Sequence, residues 1–149
     1  MSELVLVSPA DCLDLRSRIL RPGQPLKACN YPGDADPRCL NAAVRLEDDG
    51  PLVAIGTLHH DPRDTDDASS EVWRIRGMAV EESCRRQGLG AQVLKTLQAV
   101  AEARGGGVWA NVRTPAREFY AAHGFVAQGE EYELPGIGPH VLMTWRPAP

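Results

Sequence analysis

The residues best equipped for chemistry stand in one short stretch, "SCRRQGLGAQ", Ser83 to Gln92. It concentrates Arg85, Arg86, Gln87, Gly88 and Gly90 where a connecting turn needs only one or two special residues. Gly88 and Gly90 have no Cβ, so a ligand can approach the backbone closely. Where such a turn opens a helix, the first amides have no intrahelical partner and lie at the positive end of the dipole. The two arginines add charge and donors. A phosphate or pyrophosphate is the ligand this arrangement suits, and a tight connection with solvated arginines is the alternative. The common nucleotide fingerprints do not fit. There is no G-x-x-x-x-G-K-S/T, and the G-x-G-x-x-G pattern fails at Val93, three residues beyond Gly90.

The elements around the turn follow from pattern. "EVWRIRGMAV" is a central strand ending at Val80, with Gly77 marking a bulge or a close backbone approach. After the turn, Leu89, Val93, Leu94, Leu97, Val100 and Ala101 form a helical apolar face that Gly105-Gly106-Gly107 ends. "ELVLV" is a strand. Ser8, Pro9 and Asp11 open a helix carrying Cys12, Leu15 and Ile19 at helical spacing, which Pro22 ends. "RPGQPLKACNYPGDADPRC" is a long loop, and a long loop in a compact domain is often functional. Two strands follow with a turn at Asp49-Gly50, then the polar loop "DPRDTDDASS". "VWANV" is a strand, "TPAREFYAAHG" a short helix with Thr114 as cap, and "FVAQGEEYEL" and "HVLMTW" the last two strands. The order predicts an α/β (α+β) chain without regular alternation. Residues 1–149 read as one domain.

"MAVEESCRRQGLGAQVL" resembles the acyl-CoA motif of the GNAT superfamily of N-acyltransferases. That motif has Arg or Gln, two residues, Gly, one residue, then Gly or Ala; here it is Arg85, Gly88 and Gly90. "NVRTPAREFYAAHGF" resembles the family's second segment through Asn111, Arg113, Ala116, Phe119, Tyr120, Gly124 and Phe125. "GEEYELPGIGPHVLM" resembles the tail of a subgroup. The likeness is strong over Trp73 to Met143, about half of the chain. It implies a mixed, mostly antiparallel sheet flanked by helices, with a V-shaped splay between two central parallel strands. Acetyl-CoA would lie in the splay as cosubstrate. Its pyrophosphate would sit on the amides from Arg86 through Gln87, Gly88, Leu89 and Gly90 to Ala91. Its pantetheine would pair with Met78, Ala79 and Val80, and Asn111 belongs to the same binding set.

The resemblance further implies direct acyl transfer to an amine. An alkylammonium with a pKa near ~10.4 has only about 0.04% free base at pH 7, so a base must take its proton. A backbone N–H near Met78 would stabilise the oxyanion. Tyr120 matches the position that assists the leaving thiolate; packing beside Phe119 is its other reading. Glu71, Glu130, Glu131 and His140 are the candidate bases, with Glu131 first. His59, His60 and His123 read as surface positions, and Trp73, Trp109 and Trp145 as packing. Tyr31 and Asp34, on the long loop, face either the acceptor or solvent. A non-catalytic acyl-CoA binding or sensing domain of the same fold is the alternative function.

Composition sets the outer bounds. Apolar residues make up 43% and charged residues 24% of 149, as in ordinary globular chains. No apolar run reaches the ~18 residues of a membrane span. The start lacks a basic segment ahead of a long apolar one, so we expect no signal peptide and a cytoplasmic location. The net charge of −4 argues against nucleic acid as a partner. Cys12, Cys29, Cys39 and Cys84 show no metal-ligand spacing, so we expect reduced thiols and no metal. The chain is expected to act as a monomer or homodimer.

Overall fold

The computed structural model describes residues 2–63 and 71–148. The polar loop expected over 61–70 therefore lies outside the described residues from 64 onward. Seven strands form one sheet: β1 (Glu3–Val7), β2 (Leu40–Arg45), β3 (Leu52–His60), β4 (Trp73–Val80), β5 (Val108–Arg113), β6 (Val126–Leu134) and β7 (Gly138–Trp145). Their spatial order is β1-β2-β3-β4-β5-β7-β6, and among the described residues β4 with β5 is the single parallel pair. Three α-helices flank the sheet: α1 (Pro9–Leu15), α2 (Leu89–Arg104) and α3 (Arg117–Ala121). The mixed, mostly antiparallel architecture expected from the sequence is the one observed. Among the described residues no helix is long and apolar enough to cross a membrane.

Periodicity explains which face each element buries. Along α2, Leu89, Val93, Leu94, Leu97 and Ala101 recur at helical spacing and pack against Trp73, Ile75, Val108, Ala110 and Val112 of β4 and β5. A second, smaller core lies on the opposite face, where Cys12 and Leu15 of α1 meet Ala43, Ile55 and Ala79. Ser8 precedes α1, and its N–H and Oγ–H donate to Asp11 Oδ2 at 3.2 and 3.0 Å, so one carboxylate fixes the helix start. The chain continues past α1 as a π-helical turn, Arg16–Leu20, before Pro22.

Two features of β4 matter for the cleft. Ile55 opposes Ala79 and Thr57 opposes Arg76, so Gly56 alone faces both Gly77 and Met78. Gly77 has φ +69, in the left-handed region, and this is the bulge its position in the strand predicted. The second feature is the short pairing to β5. Only Trp73↔Val108 and Arg74↔Trp109 pair, after which the two strands part. The parting leaves backbone groups of β4 beyond the bulge without a strand partner on that side.

One expectation at the helix starts fails. Thr114 does not cap α3: it begins a 3-10 turn, Thr114–Ala116, and its buried Oγ1 has no hydrogen-bond partner among the described residues. The intervening turn moves the start of α3 to Arg117, too far along for Thr114 to reach its first amides.

Candidate functional site

The turn after β4 supplies the first wall. A short 3-10 turn, Glu82–Cys84, is followed by extended Arg85, whose Nε donates to Val80 O at 3.3 Å. Arg86 takes φ +65 and Gly88 φ +77, so the chain makes two left-handed steps before α2 begins. An arginine in that region is unusual and strained, and such strain clusters at ligand sites. Gly88 provides no side-chain cap, so the leading amides of a 16-residue helix stay open. A Cβ on Gly90 would stand 3.3 Å from Val80 Cγ2 and 3.6 Å from Phe119 Cζ, so a side chain there would crowd the wall.

These residues line one cleft of about 870 Å³ between β4 and β5. Met78, Ala79, Val80, Arg85, Arg86, Gly88, Leu89, Gly90, Ala91, Asn111 and Tyr120 all contribute to its surface. Of the residues assigned to donor binding and catalysis, Gln87, within the turn, and Glu131 do not line it, nor do the other candidate bases Glu71 and Glu130. Neighbours in a strand point to opposite faces. On β6, Tyr132 takes the cleft side and donates its hydroxyl to Asn111 Oδ1 at 2.6 Å. Glu131 takes the other side, where it is 49% exposed and 3.8 Å from Arg117 Nη1. No aspartate or glutamate is among the lining residues.

Tyr120, near the end of α3, is 7% exposed. Its ring meets Phe119 and Phe125 edge to face, with centroids 5.4 and 5.3 Å away. Burial raises the phenol well above its ordinary value of 10. Across the cleft, His140 is buried beside Tyr132, the rings stacked at 6.1 Å. Its Nδ1–H donates to Gly138 O at 2.8 Å; because a carbonyl only accepts, the tautomer this bond selects carries its lone pair on Nε2. His123, expected at the surface, lines the cleft, with Nδ1–H donating to Phe119 O at 2.8 Å.

The long loop after α1 is tied to the sheet by a polar network that sequence reading missed. Arg16 is 0% exposed. Its guanidinium bonds Asp34 at 2.7 and 3.3 Å, Cys29 O at 2.9 Å and Thr57 Oγ1 at 2.9 Å. His59, also read as a surface residue, is 2% exposed and donates Nε2–H to Asp34 Oδ1 at 2.9 Å. Alternation along β3 places His59 on the same face as Thr57, under the loop. Burial lowers its pKa, and the charges of Arg76 and Arg16 add to this against the pull of Asp34. Burial works to raise Asp34, yet the bonds from Arg16, the Tyr31 amide and His59 hold it below the usual carboxylate value.

Cys39 stands close by, with single ligand atoms of Asp34, Cys39 and His59 within 4.8 Å of one another. The set has metal-ligand chemistry that linear spacing did not reveal, but Arg16 already serves Asp34 as its cation. All four cysteines are free thiols. Tyr31 lines the cleft while Asp34 anchors behind it, so the loop's two candidate residues have different roles. Glu71 is a structural ion-pair centre, buried between Arg63 and Arg146 at 2.8 Å each. The tryptophans pack as expected, although Trp109 also donates Nε1–H to Asp61 O at 2.7 Å.

Comparison with known proteins agrees with this geometry. The model of the acetyltransferase (GNAT) family matches residues 12–125. An uncharacterized N-acetyltransferase of Bacillus subtilis (strain 168), YitI, is 33% identical over 144 residues, which is 96% of this chain and 95% of the relative. The crystal structure of Escherichia coli ElaA superposes with a TM-score of 0.73 at 22% identity, covering 98% of this chain and 100% of that one. A chain of the NatC complex bound to Gag peptide and CoA superposes with a TM-score of 0.74 at 13% identity, covering 98% and 99%.

Proposed function

The chain belongs to the acetyltransferase (GNAT) family, and from that premise we propose that it transfers the acetyl group of acetyl-CoA directly to a primary amine. The observation that carries this reading is the single cleft that joins the uncapped start of α2, the parted edge of β4 and the Tyr120 hydroxyl. The NatC complex, one chain of which shares this fold, binds CoA, which supports a CoA donor here.

The donor's pyrophosphate lies on the amides from Arg86 to Ala91, with Arg85 and Arg86 beside it. Its pantetheine follows Met78 to Val80, where β4 has lost its partner strand. The amine nitrogen attacks the thioester carbonyl and a C–N bond forms. The oxygen becomes an oxyanion stabilised by the backbone N–H near Met78. The C–S bond then breaks, the electron pair leaves on sulfur, and the nitrogen's proton goes to a base. The Nε2 lone pair of His140 supports it as that base in preference to Glu131, because His140 lines the cleft and Glu131 does not. Tyr120 donates a hydrogen bond to the departing thiolate. A phenol at ~10 and a thiol at ~8.5 make full proton transfer uphill by about 2 kcal/mol, and burial widens that gap.

The test is binding followed by turnover. Acetyl-CoA at 100-fold above its dissociation constant is expected to stabilise the fold by about 2.7 kcal/mol, read as a thermal shift that ATP does not produce. Free thiol should then appear with at least one amine. No shift at saturating acetyl-CoA overturns the reading; binding without turnover leaves an acyl-CoA sensor.

A further inference from the structure

The wall of the cleft opposite α2 is strongly basic. Along β4, Trp73 and Ile75 face α2, so Arg74 and Arg76 face away from it. On β5 the same alternation places Asn111 and Arg113 on that side. Arg21, at the end of the π-helical turn, completes the group, and all four arginines line the cleft.

Among the described residues, acidic partners offset only part of this charge. Arg74 has Asp61, at 3.4 Å. Arg21, Arg76 and Arg113 have no acidic partner within 4.0 Å among the described residues. Arg113 Nη2 is held by Leu20 O at 2.9 Å, a neutral acceptor. The guanidiniums of Arg76 and Arg16 both stand over the Tyr31 ring, 3.9 and 4.0 Å from its centroid. Arg16 has its own acid in Asp34; Arg76 does not. Burial, with the charges of Arg74, Arg21 and Arg16, lowers the pKa of Arg76 to about 10 despite the opposing influence of Tyr31. Like charges gathered in a partly buried place oppose folding unless something negative joins them.

We propose that the acceptor is a small amine carrying its own oxyanion, a carboxylate or a phosphate a few bonds from the nitrogen, and that Arg76, Arg113 and Arg21 bind that oxyanion. The proposal rests on the acyl-transfer reading above. Arg76 directly precedes the Gly77 bulge, so an anion on it lies beside the strand segment assigned to the reacting end of the donor. The donor's own phosphates are served at the other end of the cleft by Arg85, Arg86 and the start of α2. Arginine suits the task because its planar fork takes an oxyanion by two donors at once.

The experiment follows thiol release from acetyl-CoA with matched amine pairs. Amino acids are set against their amides, and O-phosphoethanolamine and amino-sugar phosphates against the corresponding phosphate-free amines. At least one anionic amine should exceed its neutral counterpart at least tenfold in kcat/KM, and the pair that responds tells carboxylate from phosphate. With that acceptor, Arg76→Gln and Arg113→Gln should each lose about 10- to 150-fold in kcat/KM, as for a charge-assisted hydrogen bond. The KM for acetyl-CoA should stay within about threefold, and Arg76→Lys should recover part of the loss. Neutral amines that react as well as their anionic partners overturn the proposal and leave acyl transfer standing. Variants that raise the KM for acetyl-CoA instead of the acceptor's also overturn it, because the arginines would then serve the donor. Acetyl-CoA binding with no thiol release from any amine overturns the catalytic reading itself.

Discussion

Replacing Tyr120 by Phe separates packing from chemistry. The ring sits edge-on to Phe119 and Phe125, and phenylalanine keeps both contacts. The hydroxyl has no hydrogen-bond partner among the described residues, so its removal strands no buried donor or acceptor. Stability should change by less than about 1 kcal/mol, and acetyl-CoA affinity should be retained. Activity should not be. A hydrogen bond made to sulfur chiefly in the transition state lowers kcat and kcat/KM together when lost. General-acid assistance places the fall at roughly 10²- to 10⁴-fold, or about 2.7 to 5.5 kcal/mol. The assay is single-turnover thiol release with a good amine, alongside calorimetric binding of CoA. Because burial raises the phenol above 10, the variant should alter the height of the pH profile and add or remove no limb below pH 10. An acyl donor with a more acidic thiol should suffer a smaller loss. Wild-type kcat in Tyr120→Phe, under conditions where chemistry limits turnover, refutes the role.

Gly90→Glu should weaken CoA binding more than 100-fold by calorimetry, since it sets a carboxylate against the phosphate wall. Its Cβ, 3.3 Å from Val80, should also cost about 1–3 kcal/mol by denaturant titration, and unchanged CoA affinity would remove the phosphate from this turn. His59 has a folded pKa below its ordinary 6.5. Its contribution to stability is full above that value and is lost as pH falls through ~6.5 toward the folded pKa. Urea midpoints should therefore fall between pH 7 and 5, and His59→Gln should flatten that slope; an equally steep slope in the variant would place its origin elsewhere.

Local signals were legible where one residue dictates its own backbone. Gly77 announced the bulge, Gly88 and Gly90 the open helix start, and the spacing from Leu89 to Ala101 the face of α2. Asn111, Tyr120 and Met78 to Val80 were placed through motif resemblance, and the cleft brings them together. The rest required tertiary context. Arg16, Asp34, Thr57 and His59 come from a helical turn, a loop and a strand, and only folding makes one network of them. Glu131 was preferred by its neighbourhood, while the strand alternation that puts Tyr132 on the cleft side excludes its neighbour from that side. The net charge of −4 hid a basic cleft, because a sum over the chain carries no information about where the arginines gather.

The brief union of β4 and β5 also has a mechanical consequence. Among the described residues, two residue pairs, Trp73↔Val108 and Arg74↔Trp109, are the only ladder between one block of strands, β1 to β4, and the other, β5 to β7. α2 packs chiefly on β2, β3 and β4, with its apolar face also meeting the core residues of β5, whereas α3 packs on β5 and β6. We expect the joint to act as a hinge backed by the apolar core that both blocks share, and to open at lower free energy than global unfolding requires. A ligand lying along the gap spans both sides of that hinge and stiffens it. Amides bordering the gap should then exchange hydrogen more slowly when the cleft is filled, and the slowing should extend into both blocks at once.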